Sequence, residues 1–367
     1  MITIHQVYER SGFVNSNYIC QSLAEYLNLI KITQYDFSQF NKNITSTNKK
    51  IKDQIKDFFS QVNISTQANK QDDANCWNSI ENQIKEFYTH ALCKFHTNLT
   101  NHQHKYFYRG QSDIEYRERL APGIYRETEN HSENYYFNEM QVRCPYELAA
   151  LKNISKLTYM QHYGCPTRLL DITANPLVAL YFACSDKNDP IHGKDGNVFI
   201  FGVNEDDVLY EQSDRVQMLA KLCEFKQSDQ KELWIQAYAN IIKSKFPKNN
   251  NHKYSNNVIE RFYHSVKRDN SAFEREIVPF DLLKPLFVQA HKDNPRILKQ
   301  DGAFVICGLD FNDNESNFKL KKHVIKEIVI PAQAKNAILQ ELEEVCISQA
   351  TLFPEVDKVA DYLKKKN

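Results

Sequence analysis

A chain of 367 residues with 46 basic and 46 acidic side chains has no formal net charge, which argues against a protein that works by coating nucleic acid or anionic membrane. Hydrophobic residues at 42% and aromatics at 12% place it among folded globular proteins and exclude a disordered tail. The length suits one large domain or two ordinary ones. The start, MITIHQVYER, has no basic stretch leading into an apolar one. The longest apolar run, Pro176 to Cys184, falls well short of the roughly 20 residues a membrane helix needs, so a cytoplasmic protein without a membrane partner is expected.

In chain order, residues 16 to about 100 carry helical periodicity. Cys20, Leu23, Leu27 and Ile30 recur at helix spacing, as do Ile51, Ile55 and Phe58. The polar stretch Thr66 to Asn75 reads as a linker, and a further helix is predicted from Trp77 to about Phe95. The character changes at Lys105, where KYFYRG is a short aromatic strand. Pro145 to His162 is predicted helical, with Leu148, Leu151, Ile154 and Leu157 inward. Asn175-Pro176 starts another helix, Asn as cap and Pro at the first helical position. Strands are predicted at NVFIFGV after Gly196, at 303–309 and at 324–330, with a helix from Lys335 to Val345. The polar stretch 204–270 reads as an insertion over one face. The pattern is α+β, helices packed on mainly antiparallel strands and preceded by N-terminal helices. The expected division is a helical region over 1–76 and a second domain over 77–363.

Nine cysteines form no C-x-x-C pair and read as reduced, mostly buried thiols. No metal site, Walker A or G-x-G-x-x-G motif is recognisable. Three segments concentrate polar groups at element ends. In Tyr108-Arg109-Gly110-Gln111-Ser112, Arg109 offers a fork of donors for phosphate or carboxylate, and Gly110 permits close backbone approach. Alternatively, Arg109 pairs with a core carboxylate such as Asp171. The stretch from Gln161 to Pro176 carries His162, Tyr163, Cys165, Arg168, Asp171 and Thr173, and the helix after Asn175 directs free amides toward Asp171 and Thr173. There the plain reading is Asp171 as a cap, Arg168 as its counter-ion and His162 as a satisfied core histidine. The third segment, Asn294 to Phe304, places Arg296 and Gln300 just before a strand, or is a simple loop entry.

Together these segments resemble the FRG domain, a bacterial family named for its F-[YW]-R-G signature, here Phe107-Tyr108-Arg109-Gly110. The likeness continues through Pro122-Gly123-Ile124-Tyr125-Arg126 and QHYGCPTRLLDITANPLVALYFA (161–183). It extends through Arg296…Gln300-x-Gly302-x-Phe304 and Ile347-Ser348-x-Ala350-Thr351-Leu352-Phe353-Pro354-x-Val356-Asp357, and covers roughly residues 77 to 363. Cys165 and Ile172 depart from it, where the family has an aliphatic residue and Trp.

A more distant resemblance is to R-S-E ADP-ribosyltransferases, through Tyr108-Arg109-Gly110 and through Asp171 to Phe182, with Thr173 at the last Ser of the S-T-S element. It implies a split sheet and NAD as substrate, with ADP-ribose transferred to a macromolecular target or water in a bacterial toxin, effector or phage-defence role. The implied catalytic set is Arg109, Asp171, Thr173 and Gln300. Arg109, Gly110, His162, Tyr163, Arg168, Thr173, Tyr181 and Arg296 would hold the dinucleotide. Gln300 stands where an acid belongs, so Asp171, Glu147 or Glu327 must supply the carboxylate, or the domain binds a nucleotide without cleaving it. That second outcome would make it a nucleotide-sensing or protein-interaction module.

Overall fold

The computed structural model describes residues 18–43, 104–115, 120–126, 131–185, 193–245, 257–273, 279–292, 294–309, 320 and 323–365. The helices expected around 51–58 and from Trp77 to Phe95 lie outside these residues, as does the linker at 66–75. In chain order the elements are β1 (Tyr18–Ile19), α1 (Leu23–Asn43), β2 (His104–Gln111), α2 (Glu133–Arg143), α3 (Pro145–Leu148), α4 (Asn153–His162), β3 (Leu169–Thr173), α5 (Pro176–Cys184) and β4 (Gly196–Asn204). They continue as β5 (Val208–Tyr210), α6 (Asp214–Lys221), α7 (Gln227–Lys245), α8 (Asn257–Asp269), β6 (Leu286–Gln289), α9 (Pro295–Lys299) and β7 (Gly302–Ile306). The last are β8 (Val324–Ile330), α10 (Lys335–Glu344), α11 (Gln349–Leu352) and α12 (Val356–Lys365).

Two compact units are present, residues 1–15 with 31–104 and residues 16–30 with 105–367. In the second, the strands form one sheet in the order β1-β8-β4-β2-β3-β7-β6-β5. The class is α+β. The β2/β3, β3/β7, β4/β8 and β6/β7 pairings are antiparallel, and the two edge pairings, β1/β8 and β5/β6, are parallel. At its centre the sheet is nearly split. β2 and β3 share the single register pair Tyr108↔Thr173, whereas β3 and β7 share five.

One face of the sheet is closed by an apolar cluster that includes Phe107, Leu170, Ile172, Phe199, Phe201, Phe287 and Val305. The Phe287 ring centre sits 5.9 Å from that of Phe107 and 5.8 Å from that of Phe201, so β6 packs one ring against both β2 and β4. On α5 the small residues Ala179 and Ala183 let the helix backbone lie directly on the strands. A Cβ built on Gly110 would stand 1.8 Å from the Ala179 carbonyl oxygen, and one on Gly196 would stand 2.2 Å from that of Ala183. The start of α5 follows the expectation, since Asn175 Oδ1 accepts from the Leu177 amide at 2.9 Å and Pro176 opens the helix.

Three differences from the sequence reading have clear causes. Residues 145–162 form two helices, because the chain breaks between Leu148 and Asn153. The described parts of the stretch 204–270, residues 204–245 and 257–270, are not laid over a face but built into the core. β5 extends the sheet, Val208 joins the apolar cluster, and Val216, Leu219, Leu222 and Cys223 are buried beneath polar neighbours. Residues 18–30, placed by their periodicity among N-terminal helices, contribute β1 to the sheet and bury Tyr26, whose hydroxyl donates to the Pro176 carbonyl at 2.9 Å.

The seating of α5 predicts a contrast between two glycines. Gly110→Ala meets backbone that cannot retreat and is expected to cost about 3 kcal/mol or more in urea unfolding. Gly302→Ala meets first a side-chain carbon of Ile297 at 3.2 Å and should cost clearly less. Equal losses would show that the helix is not pinned at Gly110.

Candidate functional site

Backbone groups along a strand alternate between its two edges. Because Thr173 pairs with Tyr108, the Asp171 carbonyl two residues earlier faces the same edge of β3, beyond the last β2–β3 pair. A side chain takes the place of the missing strand partner: Arg109 Nη1 donates to the Asp171 carbonyl at 2.5 Å. The Arg109 Nε is buried and has no hydrogen-bond partner. Among the described residues no carboxylate forms an ion pair with this guanidinium. Burial, reinforced by the nearby Arg126, lowers the Arg109 pKa to about 10 against the opposing pull of Asp171. Arg109 therefore remains a cation at neutral pH, with donor capacity unspent. On the same face of β2, two residues along, Gln111 Oε1 is likewise buried and unpaired.

A second cluster forms where α4 ends. His162 is in its last turn, and Gly164, at φ 86°, turns the chain back toward β3. His162 Nε2 lies 3.3 Å from Glu355 Oε1, which comes from the short connection between α11 and α12. The other Glu355 oxygen, Oε2, is buried without a partner. Burial and then Arg296 lower the His162 pKa below its ordinary 6.5, despite Glu355 and Asp171, so the imidazole is neutral at pH 7. Asp171 thus acts on both Arg109 and His162 and links the two clusters. The C-terminal connection is itself held in place. Gln300 Nε2 donates to the Leu352 carbonyl at 3.1 Å, Arg296 stands 4.7 Å over the Phe353 ring, and Phe353 meets Phe182 edge-on at 6.0 Å.

Arg109 and Asp171 therefore meet at the gap, and His162, Arg296 and Gln300 gather around the C-terminal connection, with the Asp171 charge acting on both groups. Others of the expected set are placed differently. Arg168 is 1% exposed, and its Nε donates to Glu133 Oε2 at 2.7 Å, with further bonds to the Cys307 carbonyl and Gln230. Burial alone would lower the Arg168 pKa, but Glu133 outweighs it and raises it. All its capacity is spent in the core, so it is no counter-ion of Asp171 and has no fork to offer a phosphate. Gly110 receives the α5 backbone rather than a ligand. The Thr173 hydroxyl donates to the Gln300 carbonyl at 2.7 Å and accepts from the Asn175 amide at 3.0 Å, which ties β3 to the third segment. Tyr181 is buried, which pushes its pKa up to about 12, whereas Tyr163 is 65% exposed and tilted against Tyr159. Glu147 is exposed on α3, and Glu327 accepts from Asn197 across the β4–β8 pair.

Two residues of the site escaped the sequence reading. Arg126 was noticed only as the end of a signature. Glu355 is the unspecified position between Pro354 and Val356, and nothing in its spacing singles it out.

Residues 104–191 match the model of the FRG domain family, and the chain therefore carries an FRG domain. The matched stretch runs from β2 past α5 and contains Arg109, His162 and Asp171; Arg296, Gln300 and Glu355 lie beyond it. No curated protein and no solved structure matches the chain. Among the described residues no helix is long and apolar enough to cross a membrane, and no cluster of His, Cys, Asp or Glu is placed to hold a metal ion.

Two measurements check these environments. Glu133→Gln leaves the Arg168 charge buried against a neutral amide and is expected to lower unfolding free energy by about 3–5 kcal/mol. In an NMR titration the His162 ring should show a midpoint below 6.5, and Arg296→Ala should move that midpoint upward. An unchanged midpoint in the variant would place Arg296 outside the imidazole's field.

Proposed function

We propose that this FRG domain binds NAD at the gap between β2 and β3 and transfers ADP-ribose to a macromolecular target or to water. The observation that carries the reading is Arg109, a half-buried side chain whose Nε is buried without a hydrogen-bond partner and whose guanidinium forms no ion pair among the described residues, an arrangement that suits an anionic group. The pyrophosphate would lie against Arg109 and Arg126. Its ribose would then extend toward Asp171 and His162, and exposed Tyr163 is available to a ring beside them. Breaking the bond between nicotinamide and ribose develops positive charge on the sugar, and a nearby carboxylate stabilises it. A bacterial toxin, effector or phage-defence protein acting in the cytoplasm would use such chemistry.

A specific observation favours a second reading, a module that binds the nucleotide without cleaving it. Gln300 occupies the place of the expected acid, and its amide is already engaged by the Leu352 carbonyl. The two readings separate in one experiment on the full chain incubated with NAD. Transfer or hydrolysis releases nicotinamide from the wild type, and Arg109→Ala is expected to weaken NAD binding by about tenfold or more. Thermal stabilisation by NAD without nicotinamide release selects the binding module. Neither stabilisation nor release would remove NAD as the ligand.

A further inference from the structure

We propose that Glu355 is the carboxylate that binds the reacting ribose, an assignment that rests on NAD being the ligand of this site. A sugar passing through an oxocarbenium-like state needs a fixed negative charge and an acceptor for a ribose hydroxyl. Among the groups expected to supply these, Gln300 carries no charge and its amide is engaged, Glu327 is held by Asn197 on another pair of strands, and Asp171 and Glu147 are exposed to solvent. The Thr173 hydroxyl is committed to backbone groups on both sides.

Glu355 differs from all of these. One oxygen lies 3.3 Å from His162 Nε2, while the other is buried and has no donor. An unmet carboxylate oxygen withdrawn from water is costly, and a ribose hydroxyl would satisfy it. The carboxylate is also preorganised. Leu352 and Phe353, three and two positions before it, are fastened to Gln300 and Arg296, so the C-terminal connection presents Glu355 from a fixed frame rather than from a free tail.

In the reaction the carbon–nitrogen bond of the nicotinamide riboside breaks with both electrons leaving on nicotinamide. Its pyridinium charge passes to the ribose, where the Glu355 carboxylate offsets it. The hydroxyl of water or of the target forms the new carbon–oxygen bond, and its proton passes to the His162–Glu355 pair and then to solvent. Glu355 is the catalytic residue, and neutral His162 is a positioning residue that also relays the proton.

The test uses the full chain, NAD as probe, nicotinamide release for rate and calorimetry for affinity. Glu355→Gln keeps shape and removes charge. It is expected to slow release by about a hundredfold while NAD affinity stays near that of the wild type. His162→Gln should slow release and displace the acid limb of the pH–rate profile, a change that a merely structural histidine would not produce. Should Glu355→Gln melt early, Glu355→Asp, which withdraws the carboxylate by one methylene, gives the same reading through a partial loss of rate at unchanged affinity. If the wild type cleaves NAD and Glu355→Gln cleaves it equally fast, the assignment is overturned while the NAD site stands. If the wild type neither binds nor cleaves NAD, the site reading fails and the assignment falls with it.

Discussion

The contact on which the rest of the structure depends is the seating of α5 on bare backbone. With Gly110 beneath Ala179 and Gly196 beneath Ala183, the helix lies closer to β2 and β4 than any side chain would allow. Its depth sets the position of its own first turn, where Asn175 caps the amides and Thr173 closes onto the third segment. That turn in turn fixes where β3 can run. The strand meets β2 at Tyr108↔Thr173 and nowhere else, and the gap beyond that pair holds the Arg109 side chain. A helix held a side chain's width further out would lose this geometry.

Two arginines at strand boundaries illustrate how differently a buried charge can be handled. Arg168 is compensated completely, with Glu133 bonding both its side chain and its amide, and the cluster reads as a structural knot between α2 and β3. Replacing such a pair by apolar groups is often neutral, whereas breaking it by halves is not. Arg109 bonds a backbone carbonyl, feels the Asp171 carboxylate without an ion pair to it, and lies near another guanidinium. A half-buried cation with an unmet buried donor carries a desolvation cost that an anion would offset. The same logic applies with opposite sign to the unpaired oxygen of Glu355.

Much of the architecture was legible in the residues themselves. The apolar and aromatic runs marked β2, β4, β7 and β8, and Asn175-Pro176 marked the start of α5, because capping and periodicity are local properties. The short strands β1, β5 and β6 were not recognised; β1 is two residues long, β5 three and β6 four, too little for a period to show. The polar look of residues 204–270 concealed a core face, since the buried Val216, Leu219 and Leu222 are diluted by charged neighbours.

For the site, the chain by itself determined which stretches carry unusual numbers of donors, acceptors and charges, and in what order. It also determined the residue types that make an anion site chemically possible. Only the tertiary structure decided which charges are spent and which are left over. Arg109 and Arg168 look equally promising in a line of letters, yet Arg168 finds Glu133 and Arg109 finds no ion-pair partner among the described residues, because ion pairing depends on distance in space and not along the chain. Glu355 lies 193 positions from His162 and was brought beside it by the packing of Leu352 and Phe353 against the third segment, a contact that no local pattern encodes.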